Sequence, residues 1–371
     1  RVILLLILFR FFIANFSILF SEKKVISMLG VLVKEFTDFK NLTIENCPRP
    51  EMGPRQVRIK VQAAGVSFAT SLVVAGKYQR KPPLPFIPGT ECSGYVTDVG
   101  SDVTDMQIGD RVCAVLDWGG QAEEAVAHSS NVFKIPHSLP FNEAICFTNS
   151  YLTSYAALVW PHLLKVKEGQ FVLVHGAAGG VGIAAIEISK IKGATVIATV
   201  GSEDKRKIAE GHGADFTINY NDGGFREQVL ALTNKLGANI VYDPVGGDVF
   251  LESLRCIAPE GKIMPVGFAA GSIQQIPANI LLVKNITVVG LNLGYYFGWS
   301  PIDMREHFSG QMKDSMAELF KWQTAGLIKP RVSHCFSIQQ FQEAMETVLS
   351  RKALGRVALV FDEEAKRLKI S

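Results

Sequence analysis

The chain predicts an α/β protein in two parts, a β-rich first half followed by a doubly wound parallel sheet. Three features carry that expectation. Phe171 to Val174 is a short apolar run, the glycines Gly176, Gly179, Gly180 and Gly182 follow it, and Ile183 to Lys190 is Ala/Ile-rich with helical period. Ahead of this unit, short stretches alternate apolar and polar residues between turn clusters. A length of 371 residues suffices for two domains with a large core.

A strand, a glycine turn and a helix in succession open the kind of unit whose helix N-terminus holds a dinucleotide pyrophosphate. The spacing here departs from G-x-G-x-x-G, because Ala178 sits where the second glycine usually falls. An ordinary strand-to-helix turn looks the same, so the flanking elements decide. Composition narrows the field only coarsely. A net charge of +3 with 48% hydrophobic residues is too small a bias for nucleic-acid binding. The six cysteines are scattered with no C-x-x-C pair, which gives neither a disulfide framework nor a zinc knuckle. A reducing compartment, cytoplasmic or mitochondrial, is expected.

The elements follow in order. Arg1–Phe20 holds fifteen Val, Ile, Leu or Phe residues around Arg10, Asn15 and Ser17. On an insertion scale such residues contribute roughly −7 kcal/mol against about +3 for a central Arg, so this stretch would enter a membrane if kept. Residues 1–27 are expected to be a leader outside the fold, with the globular part starting at Met28; a membrane role depends on their being kept. Gly30–Lys34, Leu42–Ile44 and Gln56–Ala64 alternate as strands, and Val66–Leu72 begins a short helix. The proline-rich run Lys81–Glu91 is an extended loop. Strands resume at Cys92–Val99, a turn at Ile108–Val112 leads into another, and Ser154–Val159 is helical. Beyond the glycine unit, Thr195–Val200, Ile240–Asp243, Lys262–Val266 and Ile286–Leu293 read as strands.

Several phrases, in one consistent order, carry a family resemblance. They are Pro85–Gly94, Ile108–Val112, Thr153–Leu158, Val174–Gly182, Tyr242–Gly247, Gly261–Gly267 and Arg351–Arg356. On these the chain resembles the zinc-independent, zeta-crystallin-like quinone oxidoreductases of the medium-chain dehydrogenase/reductase superfamily. The resemblance implies a GroES-like substrate domain over 28–152, a six-stranded Rossmann domain over 153–295, and a C-terminal segment, 296–371, returning to the first domain. It also implies a homodimer in which the late strand Ile286–Leu293 pairs across a two-fold axis, which would cover an aggregation-prone edge. Zinc-dependent members need a cysteine early in the β domain and a Gly-His-Glu later. The matching stretches here are Gly65–Ala69 and Gly89-Thr-Glu91, so no metal is expected.

NADPH is the expected cofactor. The second strand of the dinucleotide unit ends in Gly201-Ser202 without the acid that holds a ribose 2′-hydroxyl, and Lys205, Arg206 and Lys207 follow, suited to a 2′-phosphate. Glu203 and Asp204 read as first-turn helix acids behind an N-capping Ser202. The resemblance adds Lys207 and Tyr220 as cofactor residues, with Gly179, Gly180, Val181 and Gly182 at the pyrophosphate and Arg351 near the cofactor. Gly267 and Phe268 stand at a carboxyl strand end, where open α/β sheets bind ligands. Asp243 reads equally as a turn residue or a ligand. Tyr78 and Thr153 match residues near the nicotinamide, although Thr153 also reads as a helix-start residue. Ser67, expected at the cofactor, stands where the family usually has an asparagine near it, and Leu72 and Val74 replace a tyrosine and an arginine of zeta-crystallin. The pocket should therefore be more apolar, which puts quinone specificity in doubt. The implied activity is NADPH-dependent hydride transfer to a quinone or an α,β-unsaturated carbonyl. A nucleotide-binding protein with little turnover and an enoyl-thioester reductase stand as alternatives.

Overall fold

In a computed structural model the structure describes residues 27–370, so the leader expectation lies outside the described residues except for Ser27. Ser27 already pairs with Pro48, where strand β1 (Ser27–Leu32) meets β2 (Thr43–Pro48) as an antiparallel ribbon.

The remaining strands form two sheets. The first is built on β3 (Gln56–Val66), β4 (Glu91–Val99), β5 (Arg111–Val115), β6 (Glu124–His128) and β7 (Val132–Lys134). It is antiparallel through these strands, with β3 contacting both β4 and β6. The alternation that marks β3 in sequence places Val57, Ile59 and Val61 on a face without solvent exposure. Short helix α1 (Phe68–Val74) follows β3.

The second sheet is parallel. Its strands β8 (Phe171–Val174), β9 (Thr195–Val200), β10 (Phe216–Asn219), β11 (Ala238–Asp243), β12 (Ile257–Pro265) and β13 (Thr287–Val288) lie in the order β10-β9-β8-β11-β12-β13. Chain order thus reverses between β8 and β11, the crevice where doubly wound sheets place a ligand. A helical run from Phe141 to Val159 precedes this sheet. It consists of α2 (Phe141–Cys146), a wide π turn (Phe147–Tyr151) and α3 (Leu152–Val159). Thr153 is therefore inside a continuous helical run and is not the start of a helix. Around the sheet pack α4 (Gly180–Ile191), α5 (Glu203–Gly211), α6 (Arg226–Leu232), α7 (Asp248–Cys256) and α8 (Ala278–Lys284).

The expected strand over Ile286–Leu293 is much shorter. Thr287 and Val288 pair with β12, and the Val289 N–H adds a bond to Ile263 O at 2.9 Å before a 3₁₀ turn at Leu293–Phe297. Its partner strand stops at Pro265, which has no N–H to continue the ladder. Beyond a long helix, α9 (Arg305–Thr324), the chain returns to the antiparallel sheet. There β15 (Arg356–Val360) pairs with β3, and β14 (Val332–Ser337) pairs with β15. Helix α10 (Phe341–Leu349) links these two strands, and α11 (Asp362–Leu368) follows them. One apolar cluster joins Cys113 and Phe133 of the first sheet to Val172 and Val196 of the second. The two sheets share a core.

Candidate functional site

The glycine unit builds the floor of the cleft. Val174 ends β8, Gly176 takes φ +56°, a conformation that favours glycine, and Gly179 caps the twelve-residue α4 in extended conformation. His175, between them, is buried. Its Nε2 is 2.8 Å from Ser253 Oγ, and that hydroxyl donates to Val249 O at 2.7 Å. Ser253 therefore accepts from Nε2–H, and the Thr199 hydroxyl donates to Nδ1 at 2.8 Å. Burial lowers the His175 pKa to about 4, so the imidazole is neutral at physiological pH.

A cavity of about 880 Å³ lies over this floor, between the carboxyl ends of β8, β9 and β11 and the segment around Arg351. Gly179, Val181, Tyr220 and Arg351, all expected site residues, line it together. Tyr220 lies across the tip of β9, where any side chain on Gly201 would collide with its hydroxyl. Arg351 donates to Ala269 O at 2.9 Å and so closes one wall onto the loop after β12.

The cation expectation needs correction. Lys205 lines the cavity, whereas Lys207 is exposed and does not, and Arg206 is turned to Glu203 through bonds of 2.8 and 2.6 Å. The Ser202 hydroxyl caps α5 by accepting from Lys205 N at 3.4 Å, which fixes Lys205 in the first turn. Lys205 also stands four residues before Ala209, the buried residue of α5, and so shares the inward face. Among the described residues Lys205 has no carboxylate partner, while Arg226, also in the wall, pairs with Glu227 and Glu252.

Two of the glycines expected at the pyrophosphate also have a packing role. A Cβ on Gly180 would stand 2.6 Å from both Arg356 Cδ and Ser150 Oγ, and one on Gly182 would collide with Gly176 O. Gly180 thus lets α4 approach a buried ion pair, Arg356 with Glu91. Burial lowers the Arg356 pKa only to about 10, so it remains charged at neutral pH. Asp243 takes its turn role: Oδ1 accepts from Val245 N at 2.8 Å and Gly246 N at 3.0 Å.

A second cavity, of about 70 Å³, is lined by Tyr78, Arg80, Thr70, Trp118, Asn149 and Trp299. Burial raises the Tyr78 pKa, which keeps its hydroxyl protonated. Asn149 arrives on the π turn, and its neighbour Ser150 abuts Gly180, so this turn bridges the small cavity and the start of α4. Ser67, Thr153, Gly267 and Phe268 line neither cavity. Ser67 starts α1, its hydroxyl 3.1 Å from that of Thr70, while Phe268 packs over Gly246. Sequence reasoning missed Lys205 as the inward cation, and Arg80, Asn149, Trp118 and Trp299 entirely.

Known proteins share the domain order and the fold. An alcohol dehydrogenase GroES-like domain matches residues 53–137, and a zinc-binding dehydrogenase domain matches residues 180–309. Quinone oxidoreductase-like protein 2 of Mus musculus is 40% identical over 320 residues, 86% of this chain and 88% of that protein. Its homolog from Nematostella vectensis is 43% identical over 310 residues, 83% and 82% of the two chains. Escherichia coli quinone oxidoreductase, solved with NADPH, superimposes with a TM-score of 0.80 at 26% identity, covering 90% of this chain and 100% of its own.

Proposed function

The chain belongs to the medium-chain dehydrogenase/reductase superfamily, in its quinone oxidoreductase-like branch, and from that premise we propose that it is an NADPH-dependent, zinc-independent reductase of quinones or α,β-unsaturated carbonyls. The observation that carries the cofactor choice is Lys205, an unpaired cation in the wall beside Tyr220 at an acid-free strand tip. A 2′-phosphate fits that corner, and a 2′-hydroxyl finds no carboxylate at the tip. NADPH-bound relatives support the same reading.

When bound, the cofactor supplies the hydride. The chain's own residues do the rest. Free N–H groups at the start of α4 would hold the pyrophosphate, with Gly179 leaving room for it. Arg351, through its bond to Ala269 O, ties the far wall to the loop after β12. The small cavity would receive only the carbonyl end of the acceptor, with the protonated Tyr78 hydroxyl as a donor for its oxygen. The partner is a second copy of this chain, docked along β13 and α8. Helix α8 buries no residue, and Leu282 and Val283 are each 77% exposed.

Steady-state NADPH oxidation against quinones, enals and enoyl thioesters tests the reading. Turnover with the first two classes and little with thioesters is expected. NADH preference, or turnover confined to thioesters, overturns it.

A further inference from the structure

Side-chain contacts pin the π turn at Phe147–Tyr151 on both flanks of Asn149. The Phe147 ring stacks on that of Tyr151, with centroids 5.1 Å apart, and meets Phe320 of α9 at 5.0 Å. The Thr148 hydroxyl donates to Ile145 O at 3.1 Å. Ser150 abuts Gly180, and the Tyr151 hydroxyl donates to Glu187 Oε2 at 2.6 Å. Asn149, between them, lines the small cavity.

Glu187 is an unexpected residue for its place. It lies on α4 at 5% exposure, between the fully buried Ile186 and Ile188. A carboxyl group in such a position is costly unless hydrogen bonds satisfy it. Here three separate segments do so. Besides Tyr151, the Lys329 N–H donates at 3.1 and 3.2 Å to the two carboxyl oxygens, and His212 Nδ1, at the end of α5, is 2.7 Å from Oε1. Burial, and then Glu187 itself, raises the Tyr151 pKa well above its ordinary value, so the hydroxyl stays protonated and is the donor.

Glu187 also stands seven residues after Gly180, about two helical turns, so both lie on one face of α4. That face meets the π turn twice, at Gly180 with Ser150 and at Glu187 with Tyr151. A π turn holds one residue more than α-helical register, and an α-helix turns about 100° per residue. Relaxation to α-helical register would rotate one flank against the other by about that angle, and Asn149 would leave the cavity wall.

We propose that Glu187 is a positioning residue for the small cavity: through the Tyr151 hydroxyl it locks the π turn, and the locked turn holds the Asn149 amide in the wall. The inference rests on the reading that this cavity receives the carbonyl end of the acceptor, for which the Asn149 amide offers N–H donors. Glu187 touches neither acceptor nor cofactor. Its effect passes through two side chains and one turn of backbone.

The test uses the full protein with Tyr151→Phe, which removes one hydroxyl and keeps the stacked ring, with Asn149→Ala, and with both together. For phenanthrenequinone, kcat/KM should fall about tenfold in each single variant. NADPH affinity, read by fluorescence titration, should stay within about twofold. The double variant should be no worse than Asn149→Ala alone, because Tyr151 acts only through Asn149. A hydroxyl that merely stabilises the fold predicts multiplied losses, about a hundredfold, and that result overturns the proposal. Glu187→Gln keeps an oxygen for Tyr151 and should retain most of the activity that Glu187→Leu loses; equal losses also overturn it. Where Glu187→Leu does not fold, the Tyr151→Phe series decides. A crystal structure of Tyr151→Phe needs no turnover: Asn149 should be displaced from the cavity wall, and an Asn149 left in place refutes the lock. If Asn149 is displaced there, yet Asn149→Ala reduces the quinone as fast as wild type, the acceptor reading of the cavity fails and the positioning role stands.

Discussion

Adjacent glycines at the start of α4 should respond in opposite ways to one added methyl group. At Gly180 the new carbon would sit 2.6 Å from Arg356 Cδ and Ser150 Oγ. Neither neighbour can give way cheaply. Ser150 is 1% exposed, and Arg356 is 9% exposed and tied to Glu91. Overpacking of this kind costs about 1–3 kcal/mol. At Gly179 the backbone is extended, with φ −84° and ψ 167°, which any residue adopts. Among the described residues, chain neighbours aside, the only heavy atom near a Cβ there is Gly176 O at 3.3 Å, and the open side is the cavity that Gly179 lines.

Gly180→Ala should therefore lose about 1–3 kcal/mol in urea unfolding while keeping most of its NADPH affinity. Gly179→Ala should stay within about 1 kcal/mol of wild type and lose NADPH affinity at least about tenfold, a change of roughly 1.4 kcal/mol. Urea titration followed by circular dichroism reads the first quantity, and fluorescence titration with NADPH reads the second. The opposite pattern, with Gly180→Ala stable and blind to NADPH, would show that the phosphates meet α4 one residue later.

Three further outcomes follow from the same geometry. Lys205→Glu should weaken NADPH far more than NADH, and Lys207→Glu should leave both nearly unchanged; equal effects of the two variants refute the assignment of the inward cation. His175 has a folded pKa of about 4 against 6.5 unfolded, so its contribution is present above pH 6.5 and is lost as pH falls towards 4, about 3 kcal/mol in all. His175→Gln should flatten the acid limb of the stability curve, and an unaltered slope contradicts the buried neutral imidazole. Light scattering of protein beginning at Met28 should give a homodimer that Leu282→Glu with Val283→Glu converts to monomer.

The sequence made the dinucleotide unit legible because its signals are local. Four apolar residues, a glycine turn and a 3.6-residue period fall within one stretch, and the strands at Phe171–Val174 and Thr195–Val200 begin and end as read. Roles decided by distant contacts were not legible. Gly179 and Gly180 look alike until Arg356, far along the chain, fills the space behind one of them. The π turn at Phe147–Tyr151 widens a helix without a compositional mark, so Asn149 went unnoticed. Lys205 was within reach: with Ser202 as the cap and Ala209 as the buried residue, the helical period points Lys205 inward and Lys207 away. Arg80 and Trp299 meet only because the chain's later part folds back over the first sheet.

Glu91 bears on the question of metal. Its phrase, Gly89-Thr-Glu91, falls where zinc-dependent relatives carry a histidine and an acid. A lone carboxylate at 2% exposure would be strongly disfavoured without a counter-charge. The counter-charge is Arg356, which arrives on β15 and forms an ion pair with Glu91, while the Thr148 hydroxyl lies 3.4 Å from the other carboxylate oxygen. A guanidinium thus occupies the side of Glu91 that a metal cation would need. Among the described residues no three His, Cys, Asp or Glu side chains converge. A divalent ion placed there would have to expel a buried arginine and make do with oxygen donors alone, a poor set for zinc. Elemental analysis of purified protein should accordingly find well under one zinc per chain, and prolonged chelation should leave NADPH oxidation unchanged. One zinc per chain whose removal abolishes turnover would refute this reading of the Glu91–Arg356 pair.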